Sequence, residues 1–284
     1  MNYQWYPGHM TKARRQMQED VKLIDLIIEL VDARIPASSA NPDINEIGKN
    51  KFRLILMNKS DLADPSMNKK WMDYYQQNGI KAIEINALNR ATLKNINSIV
   101  MDVCQQKIER DRKRGIINRP LRAMVVGIPN VGKSTFINSF AGKASAKTGN
   151  KPGVTKGKQW IRLNKSIELL DTPGILWPKF ESEKVGERLA LIGSINDDII
   201  NTEELAITLI RYVREKYAGS LAERFKLENE DGEELILLES MAKSRGCLKS
   251  GGNYDLAKIS SIVLDEFRSG KLGRITLDNP EELM

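Results

Sequence analysis

The chain is short of several residue types, and each shortage removes a class of protein. Its 284 residues hold two cysteines, Cys104 and Cys247. Two cannot build a disulfide framework, so each reads as a small apolar packing residue in a reducing compartment. No apolar run is long enough to span a bilayer. The N-terminus is mixed polar and aromatic. It lacks the apolar core of a secretion signal and the Arg/Ser-rich character of an organellar leader, which favours a cytoplasmic, bacterial protein. There is no internal repeat and no low-complexity segment. There is one histidine, His9, and no acidic residue between Lys133 and Glu168. What is present is ordinary: 41% apolar residues, enough for one sizeable core and a second small domain.

The chemistry sits in four short motifs, each after an apolar run that reads as a buried strand. Gly127-Ile128-Pro129-Asn130-Val131-Gly132-Lys133-Ser134 starts at the glycine that ends the strand pattern Leu121–Gly127 and precedes a helical pattern carrying Phe136, Ile137 and Phe140. Gly127 and Gly132 let the backbone bend so that its N–H groups meet phosphate oxygens. Lys133 reaches the β- and γ-phosphates, and Ser134 holds Mg²⁺. Asn130, Val131, Gly132, Lys133, Ser134 and Thr135 form the cradle, and the helix N-terminus adds its positive dipole end.

Asn58-Lys59-Ser60-Asp61 follows Leu54-Ile55-Leu56-Met57. The Asp61 carboxylate can accept from guanine N1–H and its exocyclic amine. Adenine lacks both donors and would leave a buried carboxylate unpaired, which disfavours an ATPase or kinase. Asn58 can bridge to the phosphate loop, and the Lys59 stem can lie over the base. Asn86-Ala87-Leu88 follows Ala82–Ile85, and its Ala87 N–H is placed to back the guanine.

Asp171-Thr172-Pro173-Gly174 follows Ile167–Leu170. Asp171 is placed to hold Mg²⁺ and the Gly174 N–H to sense the γ-phosphate. In Pro152-Gly153-Val154-Thr155, Thr155 is the candidate second protein ligand of Mg²⁺. The base-reading motif precedes the phosphate loop in the chain. An ordinary GTPase has the reverse order, so the domain reads as circularly permuted. Arg114–Pro120 would join the permuted halves, a rearrangement tolerated when the original termini lie close together.

These motifs, with Trp5-Tyr6-Pro7-Gly8-His9-Met10, Val31-Asp32-Ala33-Arg34-Ile35-Pro36, Gly174-Ile175-Leu176-Trp177-Pro178-Lys179-Phe180, Arg245-Gly246-Cys247-Leu248 and Gly251-Gly252-Asn253-Tyr254-Asp255, resemble the circularly permuted GTPases of the YlqF/YawG group. The resemblance runs nearly end to end. It implies an assembly factor for the large ribosomal subunit that binds rRNA and pre-ribosomal particles and leaves on hydrolysis. It also suggests His9 as a water-orienting group, and it implies that a C-terminal helical domain contacts ribosomal RNA. Asn130 occupies a position similar to the K⁺-binding asparagine of cation-activated GTPases. A GTPase for tRNA or small-subunit work, or a nucleotide-gated RNA-binding module with negligible turnover, would share the nucleotide motifs.

The residue after Gly174 is Ile175, where many GTPases place the glutamine that positions the attacking water. An apolar side chain cannot do this. Either His9 or a K⁺ ion on Asn130 is then the expected substitute, the alternatives being a structural or RNA-contacting His9 and a merely turn-stabilising Asn130. A slow hydrolase in isolation follows.

The net charge of +7 is unevenly placed. Residues 1–179 carry 30 Lys+Arg against 16 Asp+Glu, whereas residues 180–284 carry 14 against 21. Lys143, Lys147, Lys151, Lys156, Lys158, Arg162 and Lys165 all fall in the acid-free stretch. Further clusters are Arg110, Arg112, Lys113, Arg114, Arg119 and Arg122, and Lys12, Arg14 and Arg15. Such confined charge favours a polyanionic partner larger than GTP, RNA in the case of the acid-free stretch; for the Arg110–Arg122 cluster, where Glu109 and Asp111 interleave, solvated surface charge is an open alternative.

Alternating strand and helix patterns predict an α/β fold: a permuted P-loop GTPase domain at 21–178, with a mostly parallel sheet and helices on both faces, after a leader at 1–20. Helical patterns fall at about 67–77, 92–111 and 133–141. From 179 to 284 only helical spacing recurs, at Val185–Ile192, Leu205–Val213, Leu235–Met241 and Ile259–Phe267. That predicts a small all-helical domain. Its acidic balance does not by itself favour RNA. A local face of Lys243, Arg245, Lys249, Lys258, Arg268, Lys271 and Arg274 is the candidate contact. A monomer is expected.

Overall fold

The apolar run after Ile24 forms a strand whose seven residues are all buried. A strand covered on both faces belongs inside a parallel sheet flanked by helices. The computed structural model describes residues 15–117, 119–142, 159–172, 176–177, 180 and 182–283. Its strands are β1 (Leu26–Asp32), β2 (Phe52–Asn58), β3 (Lys81–Glu84), β4 (Leu121–Val126), β5 (Gln159–Arg162) and β6 (Ile167–Asp171). They form one sheet in the order β3-β2-β1-β4-β6-β5. Every pairing is parallel except that of β5 with β6. β1 therefore lies between the strand leading to the base motif and the strand leading to the phosphate loop. The fold is a P-loop GTPase sheet with permuted connectivity.

One charged residue interrupts the apolar centre. Glu29 on β1 is 1% exposed. Burial pushes its carboxyl pKa up, and Arg53 Nη2 at 2.7 Å and the Asn41 N–H at 3.1 Å counter this. Buried carboxylates persist when paired in this way.

The helices on this unit are α1 (Asp43–Ile47), α2 (Pro65–Gln77), α3 (Ile96–Val103), α4 (Gln105–Lys113) and α5 (Lys133–Ala141). Asp64 caps α2 by accepting from Ser66 N, and Pro65 stands at its first turn. Trp71 and Tyr75 of α2 close a core cluster with Val31, Ala33, Ile55, Met57 and Ala63. The single helix expected at 92–111 is divided. A 3₁₀ turn spans Arg90–Leu93, and α3 ends at Cys104, whose φ of −96° and ψ of 11° separate it from α4. Beyond Cys104 the pattern has no apolar face to bury, and α4 has no buried residue.

Among the described residues, 15–180 and 278–283 form one compact unit and 182–277 another. The second contains α6 (Glu183–Leu191), α7 (Thr202–Lys216), α8 (Ser220–Phe225), α9 (Glu234–Ser244) and α10 (Leu256–Arg268). Its core takes Leu205, Leu209, Ile210 and Val213 from α7, Leu238 and Met241 from α9, and Ile259, Val263 and Phe267 from α10. The short helices α1 and α8 have too few turns to show a periodicity. The helical domain expected over 179–284 is shorter, since the chain from Asp278 to Leu283 belongs to the sheet unit. Asp278 is fully buried there, and Trp71 Nε1 donates to its carbonyl at 3.3 Å.

Two arginines proposed for an RNA face are committed inside the helical unit. Arg245 donates to Glu266 at 3.0 Å, and Arg268 pairs with Asp197 at 2.6 Å while donating to the Leu191 carbonyl. Lys243, Lys249, Lys258 and Lys271 are exposed. No described helix is long and apolar enough to cross a membrane.

Candidate nucleotide site

The motifs lie at the carboxyl ends of parallel strands, where open α/β sheets place ligands. β4 runs into Gly127 and the loop to α5. Two glycines there are set by close approach. A β-carbon on Gly127 would meet the Leu30 carbonyl at 2.6 Å, and one on Gly132, at φ 100°, would meet Asn58 Nδ2 at 2.4 Å. Asn130 itself adopts φ 59°, a left-handed conformation that asparagine tolerates better than most residues.

Asn58 joins the two halves. Its Nδ2 donates to the Val131 carbonyl at 2.7 Å, and its Oδ1 accepts from Ala87 N at 2.9 Å. One buried amide thus ties the end of β2, the loop after β3 and the phosphate loop. Lys59, at φ 60°, donates to the Asn130 carbonyl at 2.9 Å, so its stem crosses from base motif to phosphate loop. Asp61 is exposed at the mouth. Asn86 builds its own turn, accepting from Leu88 N at 2.9 Å and donating through its N–H to Thr92 Oγ1 at 3.1 Å. The Ala87 N–H expected to back the guanine donates to the Asn58 side-chain carbonyl.

Lys133 is 8% exposed and donates to the carbonyls of Gly127 at 3.1 Å and Ile128 at 3.3 Å. Burial brings its pKa down to about 8, against the pull of Asp171. Asp171 closes β6 opposite Val125 of β4. Burial pushes its pKa up, while Lys133 and the Thr172 N–H oppose the rise. Its Oδ1 is buried and has no hydrogen-bond partner among the described residues. A desolvated carboxylate oxygen beside a phosphate loop, with Ser134 one residue into α5, suits a hard divalent cation with oxygen ligands. Thr172 Oγ1 donates to the Val125 carbonyl at 2.7 Å and fixes the strand end.

The sequence reading missed one part of the site. Asp32 and Arg34 are 0% and 1% exposed. Arg34 forks onto Asp32, Nε to Oδ1 at 2.9 Å and Nη2 to Oδ2 at 2.8 Å, and Lys59 Nζ joins at 3.0 Å. Burial alone would raise the Asp32 pKa, but Arg34 and Lys59 hold it far below the usual carboxylate range. The signal available was a carboxylate closing a buried strand, with an arginine two residues on.

His9, Thr155, Gly174 and Ile175, with the lysines at 143, 147, 151, 156 and 158, lie outside the described residues. Of the second basic cluster, Arg119 lies 3.8 Å from Asp25. Arg122 pairs with Glu168 at 3.3 Å beneath the Trp160 ring, and Arg112, Lys113 and Arg114 are exposed.

Comparison with known proteins narrows the reading. A family model described as 50S ribosome-binding GTPase matches residues 122–238. Ribosome biogenesis GTPase A of Priestia megaterium is 49% identical over 99% of this chain and 98% of its own length. The Bacillus cereus protein of that name is 50% identical over 99% and 95%. Among solved structures, a GDP-bound YlqF aligns with TM-score 0.68 and 27% identity over 94% of this chain and all of that one. GNP-bound YlqF from Thermotoga maritima aligns with TM-score 0.66 and 27% identity, over 95% and 99%.

Proposed function

We infer that this chain, which belongs to the ribosome biogenesis GTPase A family, binds and hydrolyses GTP with Mg²⁺ as a checkpoint in assembly of the large ribosomal subunit. The observation that carries the reading is the Asn58 bridge, which brings a base-reading motif onto a phosphate loop written after it in the chain.

In this reading Asp61 selects guanine through two hydrogen bonds. Asn58 and Lys59 hold the base half against the phosphate half. The Lys133 ammonium exchanges the Gly127 and Ile128 carbonyls for phosphate oxygens. The amides of Val131 to Thr135 surround the phosphates, and Gly174 senses the terminal one. Ser134, Asp171 and Thr155 hold Mg²⁺, which supplies positive charge to the phosphates. Ile175 cannot position water, so His9, or K⁺ on Asn130, completes the site. Turnover is slow until the leader and the basic loop meet a pre-ribosomal particle. Those segments engage rRNA and ribosomal proteins, and hydrolysis releases the monomeric factor.

The test is GTP turnover in K⁺ and in Na⁺, with and without large ribosomal subunits, for wild type and His9→Ala. Subunits are expected to raise turnover, and His9→Ala to lose that rise while still binding GTP. A rate indifferent to subunits would remove the assembly reading. Equal competition by ATP would remove the guanine reading. If only K⁺ matters and His9→Ala is silent, Asn130 and the ion carry the chemistry.

A further inference from the structure

The last residues of the chain reach the base-reading half of the site through a buried relay. Asp278 is fully buried. Its Oδ2 accepts from Ser38 N at 2.7 Å and its Oδ1 from Ser38 Oγ at 2.8 Å, a pair of contacts 240 residues apart in sequence. Ser38 sits in the loop leaving β1. The next residue, Ser39, accepts from Asp32 N at 2.9 Å and donates to the Ile35 carbonyl at 2.6 Å. That loop carries Arg34, which forks onto Asp32, and Asp32 holds Lys59 at 3.0 Å. The same tail touches the helix after the base motif, where Trp71 Nε1 donates to the Asp278 carbonyl and Lys70 pairs with Glu281 at 2.9 Å. Tyr75 Oη, on that helix, donates to the Pro36 carbonyl in the loop at 3.3 Å.

We propose that Asp278 is a positioning residue for guanine-nucleotide binding: it fixes the loop at Ser38, and through Arg34 and Asp32 it sets the Lys59 stem against the base. The physical case rests on how little slack the relay has. A carboxylate accepting from a backbone N–H and a hydroxyl of one residue defines that residue's place with two charge-assisted bonds. The links through Ser39, Asp32 and Arg34 are buried and short, and the half-buried Lys59 has one destination at Asp32 and another at the Asn130 carbonyl. Coupling through such a packed, hydrogen-bonded chain is carried by discrete contacts. The unit boundary falls between Leu277 and Asp278, so the residue that holds this relay is the first one after the helical unit. Within that unit the Tyr212 hydroxyl donates to the carbonyls of Thr276 at 2.9 Å and Leu277 at 3.0 Å.

The proposal rests on the guanine-nucleotide reading of the site, and one titration separates the two. Fluorescent GDP and a fluorescent non-hydrolysable GTP analogue are titrated into full-length wild type, Asp278→Asn, Ser38→Ala, Lys59→Ala and the doubles Asp278→Asn/Lys59→Ala and Ser38→Ala/Lys59→Ala, with melting temperatures in parallel. Absence of binding by wild type sinks the nucleotide reading itself. With wild type binding, Asp278→Asn is expected to weaken both nucleotides equally, by about fivefold, the low end of measured site-to-site couplings. The two should fall together because the relay ends at the base half. In the Lys59→Ala background the Asp278→Asn effect should vanish. Three results overturn the proposal: unchanged affinity with a lowered melting temperature, a loss confined to the triphosphate, or the same fivefold loss with and without Lys59. If Asp278→Asn does not fold, Ser38→Ala removes only the hydroxyl bond and decides the matter by the same criteria, in its own Lys59→Ala background.

Discussion

Gly132→Ala tests the join between the two halves of the site. An alanine β-carbon would lie 2.4 Å from Asn58 Nδ2, and the backbone stands at φ 100°. Holding an L-residue in left-handed space costs about 1–2 kcal/mol. The clash also displaces the Asn58 amide, and with it the bonds to the Val131 carbonyl at 2.7 Å and from Ala87 N at 2.9 Å. Each lost hydrogen bond costs about 0.5–1.5 kcal/mol. The sum is roughly 2–5 kcal/mol. It falls on the orientation of the loop amides that meet phosphate, so GDP affinity should drop by at least about thirtyfold, the equivalent of ~2 kcal/mol. The assay is a GDP titration beside a thermal melt. Gly79→Ala is the control, since its φ is 72° but nothing lies within 4 Å of the added carbon. It should lower stability by about 1–2 kcal/mol and leave GDP affinity alone. A Gly132→Ala protein that binds GDP within about threefold of wild type would refute the tight seating of the phosphate loop on Asn58.

Two further outcomes follow from the burial of charge. Burial lowers the Lys133 pKa to about 8, so above that pH the folded apo-protein binds fewer protons at this residue than the unfolded chain does. Stability should therefore rise with pH between about 8 and 10.4, by up to ~3 kcal/mol relative to Lys133→Met; urea unfolding at stepped pH checks it, and a flat difference between the two proteins would contradict it. In the helical unit, Glu266 accepts from Arg224 at 2.8 Å and Arg245 at 3.0 Å. Glu266→Ala leaves two guanidinium groups facing each other and should lower stability by about 1–3 kcal/mol. Circular-dichroism melts would show it as a fall of several degrees, and an unchanged melt would mean the clamp contributes nothing.

The nucleotide motifs were legible because each is local. A strand, a turn and a helix start fall within ten or so residues, and phosphate chemistry demands glycines and a lysine at fixed offsets there. The permuted order was legible from the chain positions of Asn58 and Lys133 alone. The end of β4 moved by one residue from the expected Gly127, because Gly127 opens the phosphate loop and does not pair. The break at Cys104 was not legible, since helical propensity continues across it and only the loss of a buried face divides the helix.

What the sequence by itself determined is the inventory: the Asn58-Lys59-Ser60-Asp61 motif, a phosphate loop and the Asp171-Thr172-Pro173-Gly174 motif, each at its own strand end, plus a helical tail of opposite charge. The tertiary structure alone decided which charges meet. Arg245 and Arg268 look like RNA contacts in a list of basic residues, yet Glu266 and Asp197 hold them. Glu29 looks misplaced in an apolar strand until Arg53 covers it. Asp278 looks like part of a solvated acidic terminus until it is found buried against Ser38, 240 residues away. Periodicity and turn chemistry are short-range and are written in neighbouring residues. Pairing of buried charge is set by how the sheet and helices pack, and no spacing in the chain encodes it.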